Sequence, residues 1–310
     1  MNYQPHVSCF LLAAPKSEPS EDGGGLLTFY SFMDRQRLTI TLKKEVLKEL
    51  DAYIDGNRIR NRSHAIEYVL AKYFAPKIKK ALVLAGGQGL KMRPFTYEMP
   101  KAMIPVNGRP VLEYIIENLR RYDVRELLIS LGHQGNKIKQ YFGNGAKFGV
   151  KITYLDQGKA EVGTAAPIIQ AKKLIGDNPF IVYYGDVLAN IDLSDMIDFH
   201  LANGALATLA LTSVNKSSDW GVVRLQGSRV YSFLEKPDQR KDLSKVINAG
   251  VYIFEPAIFN SLNPQMKRLE KEVFPKLVEQ RKLFGYMFSG QWFDVGDPEI
   301  YQQAVKKWKG

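Results

Sequence analysis

The patterned part of the chain begins at residues 37–42, RLTITL, where Leu38, Ile40 and Leu42 alternate with Arg37, Thr39 and Thr41. A period of two built on β-branched residues predicts a strand with one apolar and one polar face. The period then changes. In KKEVLKELDAYID, Val46, Leu47, Leu50 and Ile54 fall on one helical stripe, and Gly56 stands where a C-cap belongs. NRSHAIEYVLAKYF predicts a second helix, with Asn61 as N-cap, Ile66, Val69, Leu70 and Tyr73 turned inward, and Pro76 as the stop. From Lys79 onward strands and helices alternate. KALVLA, ELLISL, KITYLD, FIVYYGD, ATLALTSV, GVVRLQ, VYSFLEK and INAGVYIF read as strands; PVLEYIIENLRRYD, GNKIKQYFGN, TAAPIIQAKKLIG, LSDMIDFHLANG and PEIYQQAVKKWKG read as helices. Buried strands interleaved with amphipathic helices predict an α/β domain with a Rossmann-like, mostly parallel sheet.

Three segments follow from this pattern. Residues 1–36 include APKSEPSEDGGG, which buries little, and are expected to form a disordered tail; Met33 is a candidate start of translation. Residues 37–76 form a β-α-α unit, and residues 79–310 the α/β domain. One strand and two short helices cannot enclose a core, and a lone strand leaves both edges unpaired. Pairing of two copies answers both problems, so a homodimer or higher homo-oligomer is expected.

Composition narrows the function. A formal charge of +11 favours a polyanionic partner, nucleic acid or phosphorylated small molecules. The single cysteine, Cys9, allows no internal disulfide and fits a reducing compartment; with no basic leader before the apolar VSCFLLAAP, a cytoplasmic location is expected. The apolar runs fall far short of the ~20 residues of a membrane helix, so no membrane partner is expected. His6, His64, His133 and His200 are scattered and form no zinc pattern.

The densest chemistry lies in GGQGLKMRPFTYEMPKAM, residues 86–103, directly after the strand ALVLA. Glycines at the carboxyl edge of a strand let backbone N–H groups approach anionic oxygens. No Gly-Lys-Ser/Thr follows, and no G-x-G-x-x-G is present, so neither the Walker loop nor the dinucleotide fingerprint applies. Pro94 and Pro100 predict an extended, looping path that returns Lys91, Arg93 and Lys101 towards the glycines.

Two resemblances add to these readings. Residues 37–74 resemble the ribbon-helix-helix DNA-binding proteins. That resemblance implies a paired-strand ribbon reading bases through Arg37, Thr39 and Thr41, with a phosphate gripped near Arg62 and Ser63. From Met33 to Lys80 the sequence holds 12 Lys/Arg against 6 Asp/Glu, in keeping with DNA as a partner, although a dimerisation handle alone remains open. The longer stretch LAGGQGLKMRPFTYEMPKAMIPVNGRPVLEYIIENL resembles the sugar-1-phosphate nucleotidyltransferases, and VGTAAPI, YYGDVLANID, WGVVRL, FLEKP, INAGVYIF and GQWFDVGDPEIYQQA continue the likeness in order.

The second resemblance implies transfer of a nucleotidyl group from a nucleoside triphosphate to a sugar 1-phosphate, with Mg²⁺ as cofactor. It implies metal ligation by Asp186 and Asp294, Lys101 on the α-phosphate, and Lys91 on the departing pyrophosphate. Ala85, Gly86, Gly87, Gly89, Gly163 and Thr164 would approach the nucleotide; Gly221, Glu235, Lys236 and Asn248 would hold the sugar phosphate. The sequence departs from the family pattern at Leu90, Lys91 and Ala102, where a hydroxyl residue, Arg and Pro are usual. Lys91 keeps the charge but not the bidentate fork. These departures leave open a regulator whose domain senses a nucleotide or nucleotide sugar without turnover.

Overall fold

The computed structural model describes residues 38–57, 59–74, 78–158, 163–238 and 244–309. The expected tail, the start at Met33, and Arg37 lie outside them. The chain divides into two compact units between Tyr68 and Val69.

In the amino-terminal unit, residues 38–43 carry no secondary structure, so the expected strand is absent from the single chain. A strand exists through its ladder, and no strand among the described residues pairs with this segment. Leu38, Ile40 and Leu42 stand 74%, 50% and 39% exposed. Helix α1 (Lys44–Asp51) buries Leu50 and stops short of Gly56. Gly56, at φ +75°, belongs instead to the next turn, where its N–H donates to the Ile59 carbonyl at 3.3 Å. Helix α2 (Arg62–Phe74) is capped as expected: Asn61 Oδ1 accepts from the His64 N–H at 3.0 Å. Among its described side chains Ala65 is buried and Leu70 is exposed.

The second unit takes in the end of α2 and continues with β1 (Lys80–Ala85), α3 (Phe95–Glu98), a hairpin of β2 (Pro105–Val106) and β3 (Arg109–Pro110), α4 (Val111–Arg121), β4 (Glu126–Leu131), α5 (Gly135–Phe142) and β5 (Lys151–Asp156). It continues with α6 (Ala166–Ile175), β6 (Phe180–Tyr184), β7 (Val187–Ala189), α7 (Leu193–Ala202), β8 (Ala207–Ser213), β9 (Gly221–Gln226), β10 (Arg229–Glu235) and β11 (Val246–Phe254). It closes with α8 (Phe274–Glu279), β12 (Leu283–Met287), β13 (Trp292–Asp294) and α9 (Pro298–Lys307). Nine strands form one sheet in the order β5-β4-β1-β6-β11-β8-β12-β10-β9.

Alternation along the central strands sends side chains to two cores. Ala81 and Val83 of β1 and Ile181 and Tyr183 of β6 join one; Leu82, Phe180 and Val182 join the other. Helix α4 covers the first face with Val111, Leu112, Ile115, Ile116 and Leu119, all buried. Each such side chain contributes about 1.5–3 kcal/mol on burial.

The sheet is mixed, which corrects the expectation of a mostly parallel one. β5, β4, β1 and β6 run parallel, and β12 is parallel to β8, but β11 is antiparallel to β6 and β8, and β10 to β9 and β12. A strand covered on both faces reads as the same apolar run in either direction, so periodicity could not separate the two cases. Among the described residues no helix is long and apolar enough to cross a membrane.

Candidate active site

β1 delivers the chain through buried Ala85 into Gly86, at the carboxyl edge of the parallel half of the sheet. The loop after β4 packs directly on it: a Cβ added to Gly132 would stand 2.2 Å from the Gly86 carbonyl oxygen. Gly89 has φ +64°, a region that favours glycine. The path beyond is compact, not extended as expected. A 3₁₀ turn at Leu90–Met92, helix α3 and a second 3₁₀ turn at Lys101–Met103 follow one another. Local bonds close it: Thr96 Oγ1 donates to the Gly89 carbonyl at 2.8 Å, Gln134 Nε2 donates to the Tyr97 carbonyl at 2.7 Å, and Lys137 donates to the Glu98 carbonyl. The loop returns Lys101 to the glycines, with its Cβ 3.2 Å from where a Gly89 side chain would start. Arg93 lies elsewhere, over the Tyr97 ring at 4.9 Å.

The two aspartates, far apart in sequence, meet through a short antiparallel pair. β7 follows Asp186, β13 ends on Asp294, and Asp294 stands opposite Val187; the Val295 N–H donates to the Asp186 carbonyl at 2.9 Å. A Cβ at Gly296 would lie 2.9 Å from Asp294 Oδ1, 3.2 Å from Asp186 Oδ2 and 2.9 Å from Lys101 Nζ. Glycine therefore keeps open the space on which both carboxylates and the ammonium converge. Lys101 is ion-paired with Asp186. Its pKa lies below the ordinary lysine value, chiefly because it is buried; Asp294 opposes the shift, and the Lys236 and Lys91 charges add to it. Lys91, Lys101 and Lys236 thus share one electrostatic neighbourhood. Two carboxylates around a small open space fit Mg²⁺, which takes one or two protein carboxylates and completes its shell with phosphate oxygens and water. The described residues hold no group of three or more His, Cys, Asp or Glu that could bind a metal.

A cavity of about 190 Å³ adjoins this pair, lined by Ala85, Gly86, Gly87, Lys101, Gly163, Thr164 and Asp186, and also by Ser130, Gln157 and Tyr184. Gly163, at φ +75°, lies so close to residue 267 that a Cβ would stand 2.2 Å from the Lys267 carbonyl oxygen. Thr164 Oγ1 accepts from the Leu269 N–H at 2.9 Å and donates to Glu270 Oε2 at 2.9 Å. Glu270 also accepts from the Tyr184 hydroxyl.

The remaining expected residues sit on three neighbouring strands. Glu235 of β10 pairs with Gly221 of β9, and a Cβ at Gly221 would lie 3.1 Å from Glu235 Oε2. Asn248 of β11 is buried, with its Nδ2 donating to the Tyr252 hydroxyl at 2.8 Å. Burial and the nearby Glu270 raise the Glu235 pKa above the ordinary glutamate value, against the pull of Lys236, Lys271 and Arg268. Lys236 is exposed, at φ +46°. Trp220, Tyr184 and Gly296 lie inside the motifs WGVVRL, YYGDVLANID and GQWFDVGDPEIYQQA but were not singled out as site residues, and Glu270 lies in none of them; what each does depends on partners distant along the chain.

In the amino-terminal unit Thr39, Thr41 and Ser63 are exposed. The Arg62 side chain is occupied by Asp51, with Nε and Nη2 donating to its two oxygens at 2.7 and 2.8 Å. That bond holds the Asp51 carboxyl below its ordinary value.

A glycine loop, converging lysines and a carboxylate pair at a sheet edge define a phosphate-handling site on an α/β scaffold. The chain belongs to the nucleotidyl transferase family, whose model matches residues 80–309. It is 33% identical over 240 residues to the mannose-1-phosphate guanylyltransferase catalytic subunit beta of Danio rerio, a match covering 74% of this chain and 66% of that protein. It is also 33% identical over 242 residues to a UTP–glucose-1-phosphate uridylyltransferase of Synechocystis sp., covering 73% and 62%. The matches thus span just under two thirds of these relatives. Among solved structures, the UDP-glucose pyrophosphorylase of Acinetobacter baumannii superposes with a TM-score of 0.64 at 23% identity, covering 74% of this chain and 92% of that one. HddC from Yersinia pseudotuberculosis superposes with a TM-score of 0.65 at 24% identity, covering 75% and 100%. The two solved structures share this chain's α/β fold.

Proposed function

We propose that the chain is a Mg²⁺-dependent sugar-1-phosphate nucleotidyltransferase. The observation that carries this reading is the convergence of Asp186, Asp294 and Lys101 on one space beside the Gly86–Gly89 loop. An oxygen of the sugar 1-phosphate attacks the α-phosphorus of a nucleoside triphosphate. The new P–O bond forms as the bond to the bridging oxygen breaks, and pyrophosphate leaves.

Two polyanions must meet, so neutralising and positioning charge is the main task. Backbone N–H groups of the glycine loop receive the phosphates. Lys101 stabilises charge at the α-phosphorus, Lys91 steadies the leaving pyrophosphate, and Lys236 grips the sugar phosphate. Glu235 and Asn248 accept and donate to sugar hydroxyls beside Gly221. Gly163 and Thr164 flank the nucleotide. Asp186 and Asp294 would hold Mg²⁺, which would supply positive charge to neutralise phosphate oxygens. No covalent intermediate is needed, because orientation supplies the rate.

In the amino-terminal unit the exposed Leu38, Ile40 and Leu42 support strand pairing with a second copy, which makes the unit a dimerisation element. In the paired form Arg37, Thr39 and Thr41 face DNA bases, and the α2 start near Ser63 faces a phosphate. Removing residues 1–76 should reduce the particle mass and abolish DNA binding while leaving turnover; a truncated chain that keeps its mass and still binds DNA contradicts this.

The enzyme reading is tested by incubating the full chain with Mg²⁺ and a grid of nucleoside triphosphates and sugar 1-phosphates, including guanosine with mannose and uridine or thymidine with glucose. Pyrophosphate release with one pair, lost in Asp186→Ala and Asp294→Ala, is the expected result. No release with any pair, in a chain that binds nucleotide, favours the sensing regulator.

A further inference from the structure

Asp294 is held by two donors from different parts of the fold. Its Oδ1 takes the N–H of Gly296 at 2.9 Å, and its Oδ2 takes the indole N–H of Trp220 at 3.1 Å. The first bond is local. The second spans 74 residues and arrives from the turn ahead of β9. Trp220 is itself fixed on several sides. Its N–H donates to the Ser217 carbonyl at 3.2 Å, and its carbonyl accepts from the Lys236 N–H at 3.1 Å. Its ring meets that of Trp292 edge-on, with centroids 5.5 Å apart and planes at 78°. Trp292 lies on β13 with Asp294, and its own indole N–H donates to the Ala249 carbonyl at 3.0 Å, beside Asn248.

We propose that Trp220 is a positioning residue that fixes the Asp294 carboxylate and couples it to the Gly221–Lys236 side of the site. This rests on the nucleotidyltransferase reading above. The physical case is direct. A carboxylate turns easily about its last side-chain torsion, over a broad range. A donor on each oxygen selects one orientation, the one in which Oδ1 faces the space kept open by Gly296. An indole N–H suits this task because it only donates and does not itself titrate. Through its backbone, the same residue ties down Lys236, the cation assigned to the sugar phosphate. The ammonium on one substrate and the carboxylate at the metal are therefore referenced to one rigid aromatic group.

The test uses the full chain, with Mn²⁺ as a spin-active stand-in for Mg²⁺ and electron paramagnetic resonance to count free ion. Trp220→Phe keeps the aromatic body and removes the N–H. It should bind Mn²⁺ about tenfold more weakly, in the range for loss of a group that orients a metal ligand, whereas Trp292→Phe should stay within about twofold of the parent. In turnover, the Trp220→Phe loss should fall on kcat and on the Mg²⁺ requirement, with KM for the nucleotide little changed. Parent-like Mn²⁺ affinity in Trp220→Phe overturns the proposal. If the parent chain itself binds no Mn²⁺, the assignment of Asp186 and Asp294 fails, and this inference with it. Should Trp220→Phe not fold, the unmutated chain still decides. Its three tryptophans give three indole N–H resonances, assigned by Trp292→Phe and Trp308→Phe. Mg²⁺ should move the Trp220 signal most, and a Trp220 signal unmoved by Mg²⁺ overturns the proposal.

Discussion

Alanine at Gly296 would place a methyl group inside the space between the two aspartates. Its carbon would start 2.9 Å from Asp294 Oδ1 and Lys101 Nζ, and 3.2 Å from Asp186 Oδ2. Ordinary contact needs about 3.5–4 Å, so each polar tip must retreat by roughly 0.5–1 Å. The atoms that move are ends of flexible side chains, and Gly296 does not have the positive φ that would strain an alanine. Stability should therefore fall by no more than about 1 kcal/mol. Chemistry has less tolerance. Mg²⁺ requires oxygens near 2.0–2.1 Å, and a displacement of about 1 Å at a reacting centre costs about 10²-fold, or about 2.7 kcal/mol of barrier. The assay is pyrophosphate release with the productive substrate pair at saturating and limiting Mg²⁺, beside a thermal melt. The expected outcome is a near-parental melting temperature with kcat down about 10²-fold. Parental kcat in a folded Gly296→Ala chain would refute the claim that reacting groups occupy this space.

Gly132→Ala should behave differently, because its Cβ would stand 2.2 Å from a backbone oxygen, that of Gly86. The glycine loop must shift, costing about 1–3 kcal/mol in urea unfolding and weakening nucleotide binding; unchanged nucleotide affinity would count against the loop's role. Glu270→Ala removes the acceptor of the Thr164 and Tyr184 hydroxyls, so a loss of about 1–3 kcal/mol for each unpaired hydroxyl is expected in the same unfolding assay, and a variant as stable as the parent would contradict it. His200 is buried, with Nδ1 2.8 Å from Thr208 Oγ1 and Nε2 3.2 Å from Glu255 Oε1. Burial lowers its pKa below 6.5, more than Glu255 raises it. The unfolded chain then takes the proton first, so stability from this group declines as pH falls from about 6.5 through the lowered pKa, by at most about 1.4 kcal/mol per pH unit. Unfolding midpoints at pH 7.5 and 5.5 should differ less in His200→Gln than in the parent; an equal difference removes the assignment.

Periodicity and local chemistry encode those features of the chain that repeat at short range. KALVLA and FIVYYGD declared themselves as buried strands, and VLEYIIENLRR as a helix with one apolar stripe, because burial repeats at fixed local intervals. The glycine turn after β1 was equally legible, since Gly89 takes a left-handed backbone that favours glycine. Asp186, Asp294, Lys101 and Glu235 were expected from the family resemblance; the fold brings the first three together and sets Glu235 beside Gly221.

Direction, partner and path were not legible. A strand covered on both faces looks alike in either direction, so the antiparallel pairing of β11, buried at all but its first position, was not legible. The loop from Leu90 to Met103 folds into turns through Gln134 and Lys137, which lie on another element. Segment 38–43 forms no strand within one chain, because a strand is completed only by its neighbour. Glu270 carried no sequence signal for the same reason, and Trp220 and Gly296 carried none beyond their place in the motifs WGVVRL and GQWFDVGDPEIYQQA. Their importance lies in what stands opposite them: a threonine and a tyrosine, a carboxylate oxygen, and a space a methyl group would fill. The chain's own order set the elements and the kinds of chemistry available; bringing Asp186 and Asp294 together, with Lys101 paired to Asp186, required strand register and packing over long range, which only the folded chain decides.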